Sequence, residues 1–240
     1  MTMDRSFKAR SHRSVTSPYR PQPQGYIVGV IASRADLHRA LRMRKPPDLF
    51  ELRLDHLMGV LDELEHQLSM LQAPLIITAR DSREGGANNL SIQQRRELLF
   101  RFLPHARYVD VELRSARDFL SLLALARRKN VRCIISSHDF KSTPAQHSLL
   151  VMARRAKACG ADIFKVATRI DKPDQLARML DFVRKANVDL PISAMGMGKL
   201  GAASRIALAR CGSVLNYASI GRSRIEGQMS IERLRAALRH

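Results

Sequence analysis

Two residues in this sequence have the type and the setting for carbonyl chemistry. Lys165 interrupts the apolar run "ADIFKVATRI", and His138 follows the run "VRCII" in "SSHDF". An amine buried among Ile163, Phe164, Val166 and Ala167 loses hydration, which favours its neutral form. A neutral amine attacks a carbonyl and forms a Schiff base. An imidazole changes charge near neutrality and serves as acid and base in turn. Both residues also have plain structural readings. The lysine stem packs while its head reaches an acid such as Asp110 or Glu112, and the histidine is satisfied within the fold.

Other charged residues recur at strand spacing. In "FELRLDH", Glu51, Arg53 and Asp55 alternate with Leu52 and Leu54, so a period of two puts the three charges on one face. "YVDVEL" repeats the pattern with Asp110 and Glu112, which could balance a nearby amine or guanidinium. In "TARDSREGG", Arg80 and Glu84 bracket a tight loop closed by glycines. Met195 and Met197 either wall an apolar pocket or fill core. Arg205, early on an expected helix, clamps a carboxylate through paired bonds or sits in solvent. Gln228 follows Gly227 in a loop. Each of these fits a wet strand face or an ordinary loop when taken alone.

What positions them is a regular alternation that begins at Gly25. Strands are expected at 26–32, 49–54, 74–79, 108–113, 132–137, 163–167, 191–195 and 214–219. Helices are expected near 34–43, 57–71, 92–103, 115–128, 144–158, 173–186, 201–210 and 230–239. The helix over 115–128 rests on the spacing of Phe119, Leu122, Leu123 and Ala126. Asp171 reads as a cap ahead of Pro173, and Gly160 as a helix-ending glycine. Eight strand–helix units with continuous apolar strands imply a parallel sheet covered on its outer face, a (β/α)8 TIM barrel. An open doubly wound sheet is the alternative, but "GVIASRAD" lacks the glycine-rich phosphate loop it would carry. In a barrel the strand-two leucines face the helices and the charges face inward. Active sites of such barrels lie at the C-terminal strand ends.

Composition narrows the classes further. The chain has 240 residues and a formal charge of +19. Residues 1–24 hold five basic residues and one acid, so the remaining chain keeps +15 of that charge. Residues 1–24 read as a basic, Pro/Ser-rich, disordered or loosely draped extension, and 25–240 as the barrel domain. No apolar run reaches membrane-spanning length, and no secretory signal is visible. Three widely spaced cysteines suit a reducing, cytoplasmic setting and no cysteine metal site. A basic field attracts anions from small carboxylates to nucleic acid. Nucleic acid is disfavoured as a partner, since aromatics make up 5% of residues, with no Trp for stacking.

Taken in order, "ELRLDH", "TARDSREGG", "YVDVEL", "SSHDF", "ADIFKVA", "MGMGKLGAASR" and a terminal "GQ" resemble the type I 3-dehydroquinate dehydratases of the shikimate pathway. The resemblance covers nearly the whole chain from residue 25. It implies a (β/α)8 barrel, usually a homodimer, that dehydrates the small anion 3-dehydroquinate to 3-dehydroshikimate with no metal and no cofactor. It implies that Lys165 is the Schiff-base lysine, His138 the proton shuttle and Glu84 its support. Glu51, Arg53 and Arg80 correspond to residues around the substrate hydroxyls, Arg205 to the carboxylate-binding arginine and Gln228 to the glutamine of a closing loop. That loop normally reads like "SAPGQ". Here it reads "RIEGQ", with Arg224 at the serine position and Glu226 at the proline position. A related Schiff-base barrel lyase or aldolase for another keto-acid, and a nucleic-acid-binding protein on an inactive scaffold, are the rival readings.

Overall fold

A computed structural model of the chain describes residues 25–223 and 225–239. The expected extension over 1–24 and Arg224 of the final loop lie outside the described residues.

Eight parallel strands form one sheet in the order β7-β6-β5-β4-β3-β2-β1-β8. They are β1 (Tyr26–Ile31), β2 (Leu49–Arg53), β3 (Leu75–Thr78), β4 (Tyr108–Glu112), β5 (Arg132–Asp139), β6 (Ile163–Arg169), β7 (Ile192–Met197) and β8 (Leu215–Ser219). The sheet curls until β7 and β8 meet. Their seam is held by few but specific bonds. Val214 N–H donates to Ile192 O at 3.0 Å, Ala194 N–H to Ser213 Oγ at 3.0 Å, and Ser193 Oγ to Leu215 O at 2.8 Å. The expected (β/α)8 barrel is the observed architecture.

The helices are α1 (Arg34–Leu41), α2 (Leu61–Gln67), α3 (Ile92–Phe102), α4 (Leu120–Arg128), α5 (Gln146–Ala158), α6 (Pro173–Lys185), α7 (Gly201–Arg210) and α8 (Ile231–Leu238). The region expected as one helix over 57–71 is α2 flanked by two single 3-10 turns. A further 3-10 turn, Ala116–Phe119, leads into α4, and Phe119, Leu122, Leu123 and Ala126 are all buried as the spacing requires. Ser91 and Gln94 cap α3 reciprocally: Ser91 Oγ accepts from Gln94 N at 3.2 Å, and Gln94 Oε1 accepts from Ser91 N at 2.9 Å. Gly160, at φ +78°, ends α5, and Ala161 N–H reaches back to Ala156 O at 3.1 Å. Asp171 is not the cap of α6. Its carboxylate instead accepts from Arg169 Nε at 2.6 Å and Lys199 N at 2.9 Å. Gln175 Oε1 takes over the capping and accepts from the backbone of Asp171 and Lys172 at 2.7 and 3.0 Å.

Strand alternation sorts side chains into two layers. Phe50, Leu52, Ile77, Val109, Val111, Cys133, Ile135, Phe164 and Val166 face the helices in one large core. Phe164 meets Phe182 of α6 edge to face, with centroids 6.3 Å apart. The residues between them point into the barrel. There Val28, Leu49, Ile76, Tyr108, Ile134, Ile163 and Leu215 form an apolar floor. One pleat further along, the same face carries Glu51, Thr78, Asp110, Ser136 and Lys165, all buried. No helix among the described residues is long and apolar enough to cross a membrane.

Candidate active site

Above the apolar floor, at the C-terminal strand ends, lies a cavity of about 270 Å³. The eight residues to which the family resemblance gives a role all line it: Glu51, Arg53, Arg80, Glu84, His138, Lys165, Arg205 and Gln228.

Lys165 does not sit in an apolar setting. Nζ donates to Asp110 Oδ2 at 2.8 Å and to Glu51 Oε1 at 3.1 Å. Thr78 Oγ1 fixes Glu51 by donating to the same oxygen at 3.0 Å. The third side of the amine is the face of Tyr217, 3.9 Å from Nζ to the ring centroid. Loss of hydration is thus offset by two carboxylates and an aromatic face. The head-to-acid contact foreseen for the structural reading is present, with Asp110 as the partner and Glu51 beside it. Burial alone would raise Asp110, but the Lys165 and Arg80 charges outweigh it and hold that carboxyl below its ordinary range.

His138, in register with Ala167 across β5 and β6, stands one pleat nearer the mouth than Lys165, which pairs with Ser136. Its Nδ1 lies 3.0 Å from Glu84 Oε2, and the same oxygen accepts the His138 backbone N–H at 2.9 Å. Nε2 meets the Arg80 guanidinium. An arginine only donates, so Nε2 is the acceptor and Nδ1 carries the hydrogen directed at Glu84. Burial first, then the charges of Arg80, Lys165 and Arg53, hold His138 well below its usual value. Burial first, then the Glu112 carboxylate, push Glu84 up to about 7. Of the pair, it is Glu84 that changes charge close to neutral pH, beside an imidazole that is already neutral.

Arg80 is the hub. It lies 3.2 Å from Asp110 Oδ2, 2.9 Å from Glu112 Oε1 and 3.8 Å from Glu51 Oε1. Burial would lower its guanidinium, but these acids outweigh that effect and raise it. Arg53 forms a two-pronged pair with Asp55, at 3.0 and 2.8 Å, and also donates to Gly85 O at 3.1 Å. Asp55 accepts Ala87 N–H at 3.0 Å, so strand two holds the glycine loop that carries Glu84. Gly85 closes that loop at φ +81°, with the Phe140 ring where a Cβ would go.

Arg205 differs from the other cations. It is 5% exposed, and no carboxylate pairs with it among the described residues. Nη1 donates to Tyr217 O at 2.8 Å, while Nε is buried without a partner. Burial lowers its guanidinium to about 10. A buried, unpaired guanidinium at a cavity wall is a ready receptor for an anion. Gln228 sits on the last loop, where Ser223 Oγ lies 3.2 Å from its Oε1. Ser223 also bonds Ile225 O at 2.8 Å, so its hydroxyl is engaged within the loop. Glu226 reaches Arg169 at 3.6 Å, and its carbonyl accepts Gly198 N–H at 3.2 Å.

Thr78 and Tyr217 beside Lys165, and Arg95 against Glu112, were not singled out from the sequence. Tyr217 lies on the inward face of β8 with Leu215 and Ser219, and that alternation was its available signal. Arg95, on α3 and outside the cavity, had none beyond an arginine on the buried stripe with Leu98, Leu99 and Phe102.

Comparison with known proteins adds an independent line. Residues 29–240 match the model of the family described as type I 3-dehydroquinase. A 3-dehydroquinate dehydratase of Shouchella clausii is 33% identical over 207 residues, covering 81% of each chain. One from Methanothermobacter thermautotrophicus is 34% identical over 186 residues, covering 77% of this chain and 81% of its own. Among solved structures, the 3-dehydroquinate dehydratase of Geobacillus kaustophilus superposes with a TM-score of 0.82 at 27% identity, over 90% of both chains. The type I enzyme of Clostridium difficile, solved with covalent modified comenic acid, has a TM-score of 0.82 at 25% identity, covering 91% of this chain and 92% of its own. With a family match over nearly all of the barrel and relatives above 30% identity, the chain belongs to the type I 3-dehydroquinase family, a family of hydro-lyases.

Proposed function

We propose that the chain removes water from 3-dehydroquinate to give 3-dehydroshikimate through a Schiff base on Lys165, with His138 as the acid–base group. The observation that carries this reading is a shared cavity. It is lined by a lysine amine, a Glu84-supported imidazole and a buried arginine with no acid of its own.

The substrate carboxylate pairs with Arg205, which supplies the charge that side chain lacks. The ketone then meets Nζ of Lys165. To attack, Nζ gives up hydrogen, and the oxygens of Asp110 and Glu51 at 2.8 and 3.1 Å are within reach to take it. Loss of water from the adduct leaves a protonated imine, and the Tyr217 face that lies against Nζ stabilises its cation. That cation is the electron sink. Nε2 of His138, once Arg80 turns to the substrate hydroxyls, removes the proton next to the imine carbon. The freed electron pair moves into an enamine and then expels the hydroxyl, which leaves as water with the proton from His138. Water hydrolyses the product imine and frees Lys165. Positioned acid–base help of this kind is worth roughly 10²–10⁴-fold, and the fixed charges around the imine add an electrostatic share. That the Clostridium difficile relative was solved with covalent modified comenic acid is in keeping with a nucleophile in this family.

A related keto-acid as substrate is the second reading, favoured by the final loop. There Glu226 pairs with Arg169, and Ser223 is engaged within the loop. An absorbance assay for the conjugated enone product separates the two. Wild type is expected to form the enone from 3-dehydroquinate and Lys165→Met to form none. A folded wild type that leaves 3-dehydroquinate unchanged contradicts the proposal.

A further inference from the structure

Arg95 is 1% exposed, lies on α3 behind the sheet and does not line the cavity. Burying a guanidinium costs more than packing an apolar side chain of similar volume, unless its donors are all used. Here four of the five N–H donors are used. Nε donates to Ala79 O at 2.7 Å, Nη1 to Asp81 Oδ2 at 3.2 Å and to Ser115 Oγ at 3.4 Å, and Nη2 to Glu112 Oε2. The guanidinium carbon stands 5.1 Å from the Phe119 ring centroid. Glu112 is the connection to the site. While Oε2 faces Arg95, Oε1 lies 2.9 Å from Arg80 Nε and accepts Asp81 N–H at 3.2 Å. Arg80 in turn meets Nε2 of His138, and Glu84, three residues beyond Asp81, meets Nδ1. Both neighbours of the imidazole therefore hang from the segment 79–84, and Arg95 ties down its Ala79 carbonyl and Asp81 carboxylate.

We propose that Arg95 is a positioning residue that holds Arg80 and Glu84 on the two nitrogens of His138 and balances the charge of Glu112 behind them. Its bearing on turnover rests on the acid–base role proposed for His138. Facing the Glu84–His138 pair are Arg53 from β2, Arg80 after β3, Glu112 and Arg114 from β4 and its end, and Lys165 from β6. Arg95 is a cation one step behind these.

The test is a pH titration of the ¹⁵N-histidine full-length protein by NMR, with His138 assigned by its missing signal in His138→Gln. The ring reports the Glu84 proton 3.0 Å away whether or not the protein turns over. In wild type a transition is expected near the Glu84 value of about 7. Arg95→Gln removes a cation from the cluster, so proton uptake moves to higher pH by about half a unit or more. The acidic limb of kcat moves with it. Arg95→Lys keeps the charge and restores the transition, although it loses the planar fork. Glu112→Gln removes an anion and moves the transition down. A transition that stays put in Arg95→Gln, or that shifts alike in Arg95→Gln and Arg95→Lys, overturns the proposal. Should Arg95→Gln not fold, an unmoved transition in Glu112→Gln overturns it. A shifted His138 transition with an unshifted kcat profile upholds the role of Arg95 and contradicts that of His138 in the reaction.

Discussion

Arg80 joins the two residues of the proposed reaction, since one guanidinium meets both His138 and the Asp110 that holds Lys165. Two predictions belong at this scale. In the proposed reaction the imine forms on Lys165 before His138 acts. His138→Ala is therefore expected to keep imine formation in part while turnover falls roughly 10²–10⁴-fold. Borohydride trapping and the enone assay, run side by side, check this, and full turnover in the variant contradicts it. The second prediction uses the raised Glu84. A buried carboxyl that keeps its proton to about pH 7, against an ordinary 4.5, stabilises the folded state fully below 4.5. That contribution is lost as pH rises through about 7. Glu84→Gln stays neutral at every pH, so wild-type stability relative to the variant should drop by about 3 kcal/mol across this window. Urea unfolding at either end of the window measures it, and a constant difference contradicts the assignment.

At the scale of elements, the last loop lies against the start of α7 backbone to backbone. Gly227 has φ +80°, and a Cβ there would fall 2.6 Å from Gly201 Cα and 2.9 Å from Gly198 O. A side chain would lift the loop and displace Gln228 from the cavity. Gly227→Ala is expected to lower kcat/KM about 10- to 100-fold, as small misplacements do, with little change in melting temperature. Wild-type kinetics in that variant contradict the docking role. The eight strands and eight helices could be read from alternation and spacing because each buries one face against its neighbours. The 3-10 turns flanking α2 could not, since a few residues of tighter winding leave the apolar spacing unchanged. Nor could the role of Asp171: Arg169 and Lys199 compete for its carboxylate, and only the folded chain brings Lys199 there. The β7–β8 seam was equally hidden, since Ser193 and Ser213 look like ordinary small residues in the sequence.

For the molecule as a whole, the (β/α)8 topology explains why scattered residues were legible as a site. A period of two inside a closed sheet forces Glu51, Asp110 and Lys165 onto one inner face, although they lie on three different strands. The loops then add Arg80, Glu84 and Gln228 at the same end. What stayed illegible depends on which side chain fills which gap: Tyr217 against the amine, and Arg95 behind Glu112. The formal charge of +19 is not concentrated at Lys165, where Glu51, Asp110 and Glu112 counter Lys165 and Arg80. Arg205 is a buried cation of the cavity wall with no carboxylate partner among the described residues, and an anionic substrate would supply one. The most direct test is borohydride reduction of the full-length protein with 3-dehydroquinate, followed by peptide mass spectrometry. One reduced adduct is expected on Lys165, absent without substrate and absent in Lys165→Met. Enone formation by wild type with no adduct on Lys165, or an adduct on another lysine, would contradict it.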